Sequence, residues 1–222
     1  MRQKVTKGWL SIWLYVILFA SGIITGVLVT HWQVWDAGTK LFAMAAALLP
    51  IHVMEEWHFP GGFHTMYNLM KDSEHTDRYS MNQLCDMWTN FIGVIFSCVV
   101  LVIGVSPVFL IMQVFLCCAE IFGHFSGGIF LYKKFKDKGK KTIYSPGLFT
   151  TLFGYIPIAI GILICLFTVD RPALWQIPMA LICSVLLGGF SLNCVEKLCR
   201  DTESPYRFTW GTGYLSRFGC HE

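Results

Sequence analysis

Six apolar stretches, each long enough to cross the hydrocarbon of a bilayer as a helix, dominate this sequence. A spanning helix needs about 20 residues. The stretches cover residues 8–29, 39–59, 81–105, 107–132, 147–169 and 172–197. A membrane β-barrel would instead show segments of about ten residues with alternating polarity, and the sequence contains no such segments. The pattern predicts an all-α, polytopic membrane protein with six transmembrane helices in one bundle.

The composition excludes several other classes of protein. Hydrophobic residues make up 55% of the 222 residues and charged residues 14%, whereas a soluble domain carries about 25% charged residues. So few charges exclude a disordered chain, a basic nucleic-acid-binding domain and a soluble enzyme. We therefore expect the lipid bilayer to be the main partner, because lipid solvates apolar side chains, and we expect no nucleic-acid partner.

The positions of the basic residues predict the orientation of the bundle. Of the 17 lysine and arginine residues, all but Lys40 and Arg171 lie before the first span, at or beyond the end of the sixth, or after spans two and four. Loops rich in these residues stay in the cytoplasm. We therefore expect both termini in the cytoplasm and the protein in the cell (inner) membrane. We divide the chain into a six-helix transmembrane domain, residues 1–197, and a cytoplasmic C-terminal tail, residues 198–222, which is expected to fold over the cytoplasmic mouth.

Ionisable side chains inside the spans are the candidates for function, because each costs about 2.5–3.5 kcal/mol at the centre of a membrane helix. The second span ends in His52, Glu55 and Glu56, and the fourth span carries Glu120 and His124. Residues four apart share a helix face. Each of these two spans therefore presents a histidine and a glutamate on one face.

The third span carries a polar face of its own. Asn82, Asp86, Asn90, Gly93 and Ser97 follow one another at intervals of three or four residues. Such a face avoids lipid and turns toward other helices or a wet cavity. At 1.5 Å per residue, the polar groups of the three spans lie at similar depths, about 10–18 Å from the cytoplasmic ends of their helices. Mutual contact would satisfy all of them.

Two imidazoles and three carboxylates that meet form a set of metal ligands. Paired Glu and His ligands on facing helices are the usual way in which a helix bundle builds a mononuclear or dinuclear site. We predict that His52, Glu56, Glu120 and His124 bind one or two divalent metal ions, zinc or iron, with Glu55 as a further ligand or the general base. A proton relay and a metal-free packing network are the alternatives.

Residues near this set receive supporting roles. Asp86 and Asn90 are predicted to orient a ligand imidazole, although Asn90 can equally clasp two helices by a hydrogen bond. His58 and His64 flank a Pro-Gly-Gly turn and are expected at the cytoplasmic entrance for the substrate, the alternative being two solvated loop histidines. The sequence contains no phosphate-binding loop and no dinucleotide-binding glycine pattern, so no nucleotide cofactor is expected.

The segment from Ile51 to Phe63, IHVMEEWHFPGGF, resembles the signature of the HXXEE-motif family of small helical integral membrane proteins. The resemblance continues to Asn90 in the third span and His124 in the fourth. It covers most of the six spans and leaves out the C-terminal tail. The resemblance implies a polar site within the membrane and a suspected enzymatic activity, and it supplies no substrate.

We interpret the chain as a metal-dependent integral membrane enzyme. Its substrate is expected to be a small amphiphilic or lipid-like molecule, which is hydrolysed or oxidised with the help of activated water or dioxygen. One alternative is a proton-coupled transporter with Glu120, His124 and Glu55 as the relay. The few polar residues in the outer half and the lack of an internal repeat argue against it. The other alternative is a non-catalytic membrane scaffold. The oligomeric state is left open.

Overall fold

A computed structural model describes residues 2–209 and 211–220, with side chains from Thr6 onward. The main helices are α1 (Arg2–Thr30), α2 (Ala37–Trp57), α3 (Phe63–Met70), α4 (Gln83–Ile103), α5 (Pro107–Phe135), α6 (Leu148–Thr168) and α7 (Gln176–Cys199). Helix α6 contains a π-helical turn at Thr151–Tyr155, and α7 contains one at Gly189–Cys194. Within the described residues, six helices are long and apolar enough to cross a membrane, namely all but α3. This confirms the six predicted spans.

The outside of the bundle is apolar, as lipid-facing helices require. Phe19, Val102, Phe122, Phe153 and Phe167 are each 70–86% exposed. A soluble monomer rarely carries a contiguous apolar surface of more than a few hundred Å². Lipid is the solvent in which such a surface is stable, because the backbone polar groups of the helices are satisfied internally. The chain therefore has the surface and the helices of an integral membrane protein.

Helix α2 lies at the centre of the bundle and packs against α1, α4, α5 and α6. Its first half buries Ala43, Ala45, Ala46 and Ala47, and small side chains allow neighbouring membrane helices to approach closely. Helix α7 lies at the periphery, where it packs on α5 along its first half and on α4 along its second half. The central position of α2 brings its polar second half against α5 and α6.

The two ends of the bundle differ. Short connections at residues 31–36, 104–106 and 169–175 form what we call the short-loop end. Residues 58–82, 136–147 and the tail after Cys199 form the long-loop end. At the short-loop end, Phe42, Val100, Leu110 and Ile162 pack into a cluster in which each side chain is at most 2% exposed. This cluster seals the bundle at that end.

Helix α3 and the tail cover the long-loop end, and α3 is a helix that the sequence analysis did not predict. Pro60, Gly61 and Gly62 end α2, and the backbone N–H of Tyr214 in the tail donates to the Gly61 carbonyl at 3.1 Å. A Cβ at Gly62, whose φ is +99°, would lie 2.4 Å from the Thr212 carbonyl oxygen. Glycine therefore allows the tail to approach this turn, as the expected covering of the mouth requires.

The loop between α5 and α6 is anchored to the tail by a buried lysine. Lys140 is 2% exposed. Its Nζ donates to the Tyr144 carbonyl at 2.6 Å and to the Tyr214 hydroxyl at 3.0 Å, and it lies 4.6 Å from the centroid of the Tyr214 ring. These contacts fix the segment that leads into α6, and that segment borders the polar site.

Candidate metal centre

Two imidazoles and two carboxylates converge where α2 faces α5. His52 and Glu56 lie one turn apart on α2, and Glu120 and His124 lie one turn apart on α5. The Nε2 atoms of His52 and His124 are 3.1 Å apart. Glu56 Oε1 is 3.5 Å from Nε2 of His52 and 3.4 Å from Nε2 of His124, and Glu120 Oε2 is 3.4 Å from both. The structure thus brings together the four residues that spacing alone proposed as ligands.

These separations fit ligand atoms arranged around one ion. Nitrogen and oxygen ligands at the usual zinc distances lie about 3.3–3.6 Å apart when the geometry is tetrahedral. The four histidine–glutamate separations are 3.4–3.5 Å and lie within this range, and the two Nε2 atoms are closer to each other, at 3.1 Å. His52, Glu120 and His124 each offer one ligand atom, and these atoms all lie within 4.8 Å of one another. This group can hold a metal ion.

Three of the four side chains at the centre are buried, and one is partly exposed. The side chains of His52 and His124 are each 2% exposed and that of Glu56 is 7% exposed, whereas that of Glu120 is 39% exposed. Two carboxylates in so apolar a setting need nearby positive charge, from a bound cation or from protonated imidazoles. Glu120 is also the member of the group that lines a cavity inside the bundle.

A chain of hydrogen bonds orients the His52 ring. The Thr150 hydroxyl donates to Glu55 Oε2 at 2.6 Å, so its oxygen is free to accept from Nδ1–H of His52 at 2.7 Å. We assign the His52 tautomer from this pattern: the proton on Nδ1 leaves the lone pair of Nε2 facing the centre. Metal-binding histidines typically donate their other ring N–H to a fixed acceptor in this way.

Glu55 lies beside the centre and caps the start of α6. The backbone N–H groups of Phe149 and Thr150 donate to its carboxylate at 3.0 and 2.8 Å, and the hydroxyls of Thr150 and Tyr144 donate at 2.6 and 2.9 Å. Burial and the Glu55 charge raise the pKa of Tyr144, so the phenol stays protonated and donates. Because four donors from the α6 side occupy its two oxygens, Glu55 lies outside the group that it was expected to join.

Packing, together with the loop before α6, holds the His124 ring. The ring lies against Gly147, where an added Cβ would be 2.2 Å from Cε1 and 2.7 Å from Nε2, and the centroid of the Phe63 ring is 5.4 Å away. The Ser145 hydroxyl donates to the His124 carbonyl at 2.9 Å. Nδ1 of His124 has no hydrogen-bond partner among the described residues. The polar neighbours of this ring therefore lie at its Nε2 atom, which faces the other three residues of the centre.

Asp86 and Asn90 contact each other and the end of α2. Asp86 accepts a hydrogen bond from the Trp57 indole N–H, and Asn90 Nδ2 donates to Asp86 Oδ1 at 3.0 Å. The described hydrogen bonds place neither residue against an imidazole of the centre. Thr150 holds the position that was expected for them, and Asn90 instead lines the cavity.

His64 lies beneath the tail, which corrects its expected position at an open entrance. It is 6% exposed and stacks on Phe208 with 4.0 Å between ring centroids. Burial lowers the pKa of His64 to about 3, so the ring is neutral at pH 7. His58 follows the last turn of α2, and burial lowers its pKa as well. Neither histidine lines the cavity at Glu120.

Thr150, Gly147 and Tyr155 belong to this site and were missed in the sequence. Tyr155 packs on His52 with 5.2 Å between ring centroids, close to perpendicular. The available signals were the Ser-Pro-Gly sequence directly before an apolar span and the threonine pair within its first turn. Both are ordinary ways to begin a helix, so neither indicated a contact with His52 or His124.

A family model described as "Protein of unknown function with HXXEE motif" matches residues 43–162. The matched segment runs from α2 into α6 and contains all four residues of the centre, as well as Glu55 and Thr150. No curated protein and no solved structure matches the chain. The comparisons therefore establish a family and leave the activity to be inferred from the site.

Proposed function

The chain belongs to the HXXEE-motif family, and we propose that it is a metal-dependent integral membrane enzyme with His52, Glu56, Glu120 and His124 as ligands. The observation that carries this proposal is the convergence of two Nε2 atoms, 3.1 Å apart, with one carboxylate oxygen from each glutamate, which lies 3.4–3.5 Å from both nitrogens. The substrate is a small amphiphilic or lipid-like molecule that undergoes hydrolysis or oxidation. The long-loop end would face the cytoplasm, because it carries most of the basic residues.

The residues at this centre would have three roles: to bind the metal, to exchange a proton with the substrate and to orient a ligand. His52 and His124 supply neutral nitrogen ligands, and the two glutamates supply anionic oxygens, a mixture that suits zinc or iron. A bound ion of this kind supplies Lewis acidity, which acidifies water and polarises a substrate oxygen. Glu120, which is open to the cavity, can exchange a proton with a molecule held there. Thr150 keeps Nε2 of His52 directed at the centre through the bond to Nδ1–H.

The distances favour a shared ion over a metal-free network of charged pairs. A charge-assisted N–H···O bond is about 2.7–2.9 Å long, whereas each histidine–glutamate separation here is 3.4 or 3.5 Å. The four histidine–glutamate separations therefore fit a shared cation better than direct bonds, whereas the 3.1 Å between the two Nε2 atoms lies within hydrogen-bond range. A scaffold role built on ion pairs alone therefore has less support.

The transporter alternative is opposed by the packing of the short-loop half. A path through the membrane needs polar groups along its length. Beyond Gln113, the interior is filled by Phe42, Val100 and Leu110, which are at most 2% exposed. The cavity at Glu120 thus ends inside the bundle, as a binding pocket does.

Metal analysis of purified protein tests the proposal. Wild-type protein should contain about one zinc or iron ion per chain, and His52→Ala and His124→Ala should each contain almost none, because each removes a nitrogen ligand. His31→Ala is the matched control, since His31 is exposed in the loop after α1, and it should retain the wild-type content. Equal metal content in all four proteins, or none in wild type, would rule out the proposed centre.

A further inference from the structure

A closed-ended cavity extends from Glu120 into the middle of the bundle. It is bounded by α2, α4, α5 and α7, with Tyr155 of α6 also lining it, and has a volume of about 120 Å³. Leu49, Phe96, Leu116 and Leu187 form its apolar walls. Glu120 and Gln113 both line it, and seven residues along α5 correspond to about 10 Å. The cavity is therefore elongated along the bundle, with the proposed metal centre at one end.

The polar groups along this cavity are largely engaged with the protein itself. The Thr89 hydroxyl donates to the Ser191 carbonyl at 2.8 Å, and the Ser97 hydroxyl donates to the Gly93 carbonyl at 2.9 Å. Asn90 Nδ2 donates to Asp86. With these donors satisfied, the cavity offers an occupant mostly apolar contact, with a carboxylate at the Glu120 end. The Gln113 amide at the other end donates to Cys117 Sγ at 3.6 Å. A cavity of this polarity matches an amphiphilic molecule whose polar head lies at Glu120.

The size of the cavity limits the shape of the occupant. An apolar cavity of about 150 Å³ holds a molecule the size of benzene. A space of about 120 Å³ therefore admits a segment of one hydrocarbon chain, and two chains side by side would not fit. The sealed short-loop end prevents the chain from passing through.

The wall formed by α7 gives the cavity a side that faces the acyl layer. Gly188, Ser191 and Leu192 line it, and the last two lie in the π-helical turn at Gly189–Cys194. Such turns occur frequently at functional sites. Helix α7 packs on α5 before this turn and on α4 within and after it, so the cavity lies where the helix changes neighbour.

We propose that this cavity binds the hydrocarbon chain of a single-chain amphiphile, which enters from the bilayer beside α7 and places its polar head at Glu120. This proposal rests on the proposed enzymatic function and names its substrate class. Esters of fatty acids with about eight carbons share this chemistry, because their heads are uncharged and their length matches the cavity. The chain would lie against Leu49, Phe96 and Leu116, and the head would meet the partly exposed side of the centre, at Glu120.

The test compares two adjacent glycines of α7 in the full-length protein. Gly188 lines the cavity, whereas Gly189 does not. Both have helical φ values, −64° and −61°, and a Cβ at either would meet nothing within 4 Å. Gly188→Phe should therefore fill the cavity, and Gly189→Phe should carry the same added ring without filling it. The probe is the methyl ester of an octanoate analogue with a photoreactive diazirine at its terminal carbon, because a chain of about eight carbons matches the length of the cavity, about 10 Å. It is cross-linked in detergent and mapped by mass spectrometry.

Wild type and Gly189→Phe should be labelled at the peptides that carry Phe96 or Leu116, and unlabelled methyl octanoate should compete. Gly188→Phe should reduce this labelling about tenfold, the loss expected when at least two methylene groups are excluded. Labelling that is unchanged in Gly188→Phe, that falls equally in both variants, or that is confined to lipid-facing residues would overturn the proposal.

Metal content separates this proposal from the function on which it rests. Both glycine variants should keep the wild-type metal content, and His52→Ala should still be labelled in the cavity because its walls are intact. Specific labelling of a wild-type protein that holds no metal would support the chain-binding cavity while removing the metal centre. A metal-loaded wild type with no labelling in the cavity would overturn the amphiphile proposal alone.

Discussion

Replacement of Glu55 by glutamine is expected to lower both the stability of the protein and its affinity for metal, although the described hydrogen bonds of the Glu55 carboxylate go to none of the four proposed ligands. Its carboxylate accepts four hydrogen bonds, from the backbones of Phe149 and Thr150 and from the hydroxyls of Thr150 and Tyr144. A glutamine side chain presents an NH₂ group to two of these donors. Each buried group left unsatisfied costs about 1–3 kcal/mol, so the free energy of unfolding should fall by about 2–6 kcal/mol.

The same substitution should weaken metal binding through Thr150. Without the Glu55 acceptor, the Thr150 hydroxyl is free to turn and donate elsewhere, and Nδ1–H of His52 loses its fixed partner. Loss of a group that orients a ligand typically costs about 10–100-fold in metal affinity. Denaturant unfolding and metal titration measure the two effects, with Glu203→Gln, at an exposed glutamate of the tail, as the control. Wild-type stability and affinity in Glu55→Gln would show that the chain from Glu55 to His52 has no such role.

Replacement of Gly147 by alanine should disrupt the centre by displacing His124. The added Cβ would lie 2.2 Å from Cε1 and 2.7 Å from Nε2 of that ring, so the ring must move. Because Nε2 is the proposed ligand atom, metal affinity should fall by about a hundredfold, at least as much as when an orienting group is lost. Gly147 also has a φ of +91°, which adds backbone strain of about 1–2 kcal/mol for a residue with a Cβ.

A second glycine of the same loop provides a control that distinguishes the steric clash with His124 from the backbone strain. Gly139 has a φ of +92°, and a Cβ there would meet nothing within 4 Å. Gly139→Ala should therefore share the loss of stability and keep wild-type metal affinity. Isothermal titration with zinc, combined with denaturant unfolding, gives both quantities for each variant. Equal metal affinity in the two variants would show that the Gly147 contact does not position His124.

The spans and the four converging residues were accessible from the sequence because both depend on local regularity. Hydrocarbon thickness sets the length of an apolar stretch, and the period of the helix places residues four apart on one face. His52 with Glu56, and Glu120 with His124, follow this rule within single helices. The sequence did not show that α2 contacts α5. It gave only an indirect reason to expect this contact, because buried polar groups need partners.

The roles of Glu55, Thr150 and Gly147 could not be predicted from the sequence, because they depend on where α6 and the loop before it lie in the fold. Glu55 and Glu56 lie three and four residues after His52, so helix spacing could not separate them. Their different directions were fixed by the position of α6, whose first N–H groups draw Glu55 toward them. Thr150 and Gly147 reach the centre only through the path of the loop after α5.

The structure of the long-loop end also could not be predicted from the sequence. Helix α3 is eight residues long, and neither it nor the tail is long or apolar enough to span a bilayer. Their packing depends on Gly61 and Gly62, which let the tail backbone approach, and on Phe208, which stacks on His64. These contacts bury a histidine that its sequence context places in a solvated loop.

The most direct test of the proposed centre is X-ray absorption spectroscopy of the protein purified with its metal. The ligand set predicts two imidazole nitrogens and two carboxylate oxygens, all at about 2.0–2.2 Å from the ion. Multiple scattering from the imidazole rings should be present in wild type and halved in His124→Ala reloaded with excess metal. A first shell that contains sulfur from any of the nine cysteines, or oxygen without imidazole, would contradict the convergence of α2 and α5 on one ion.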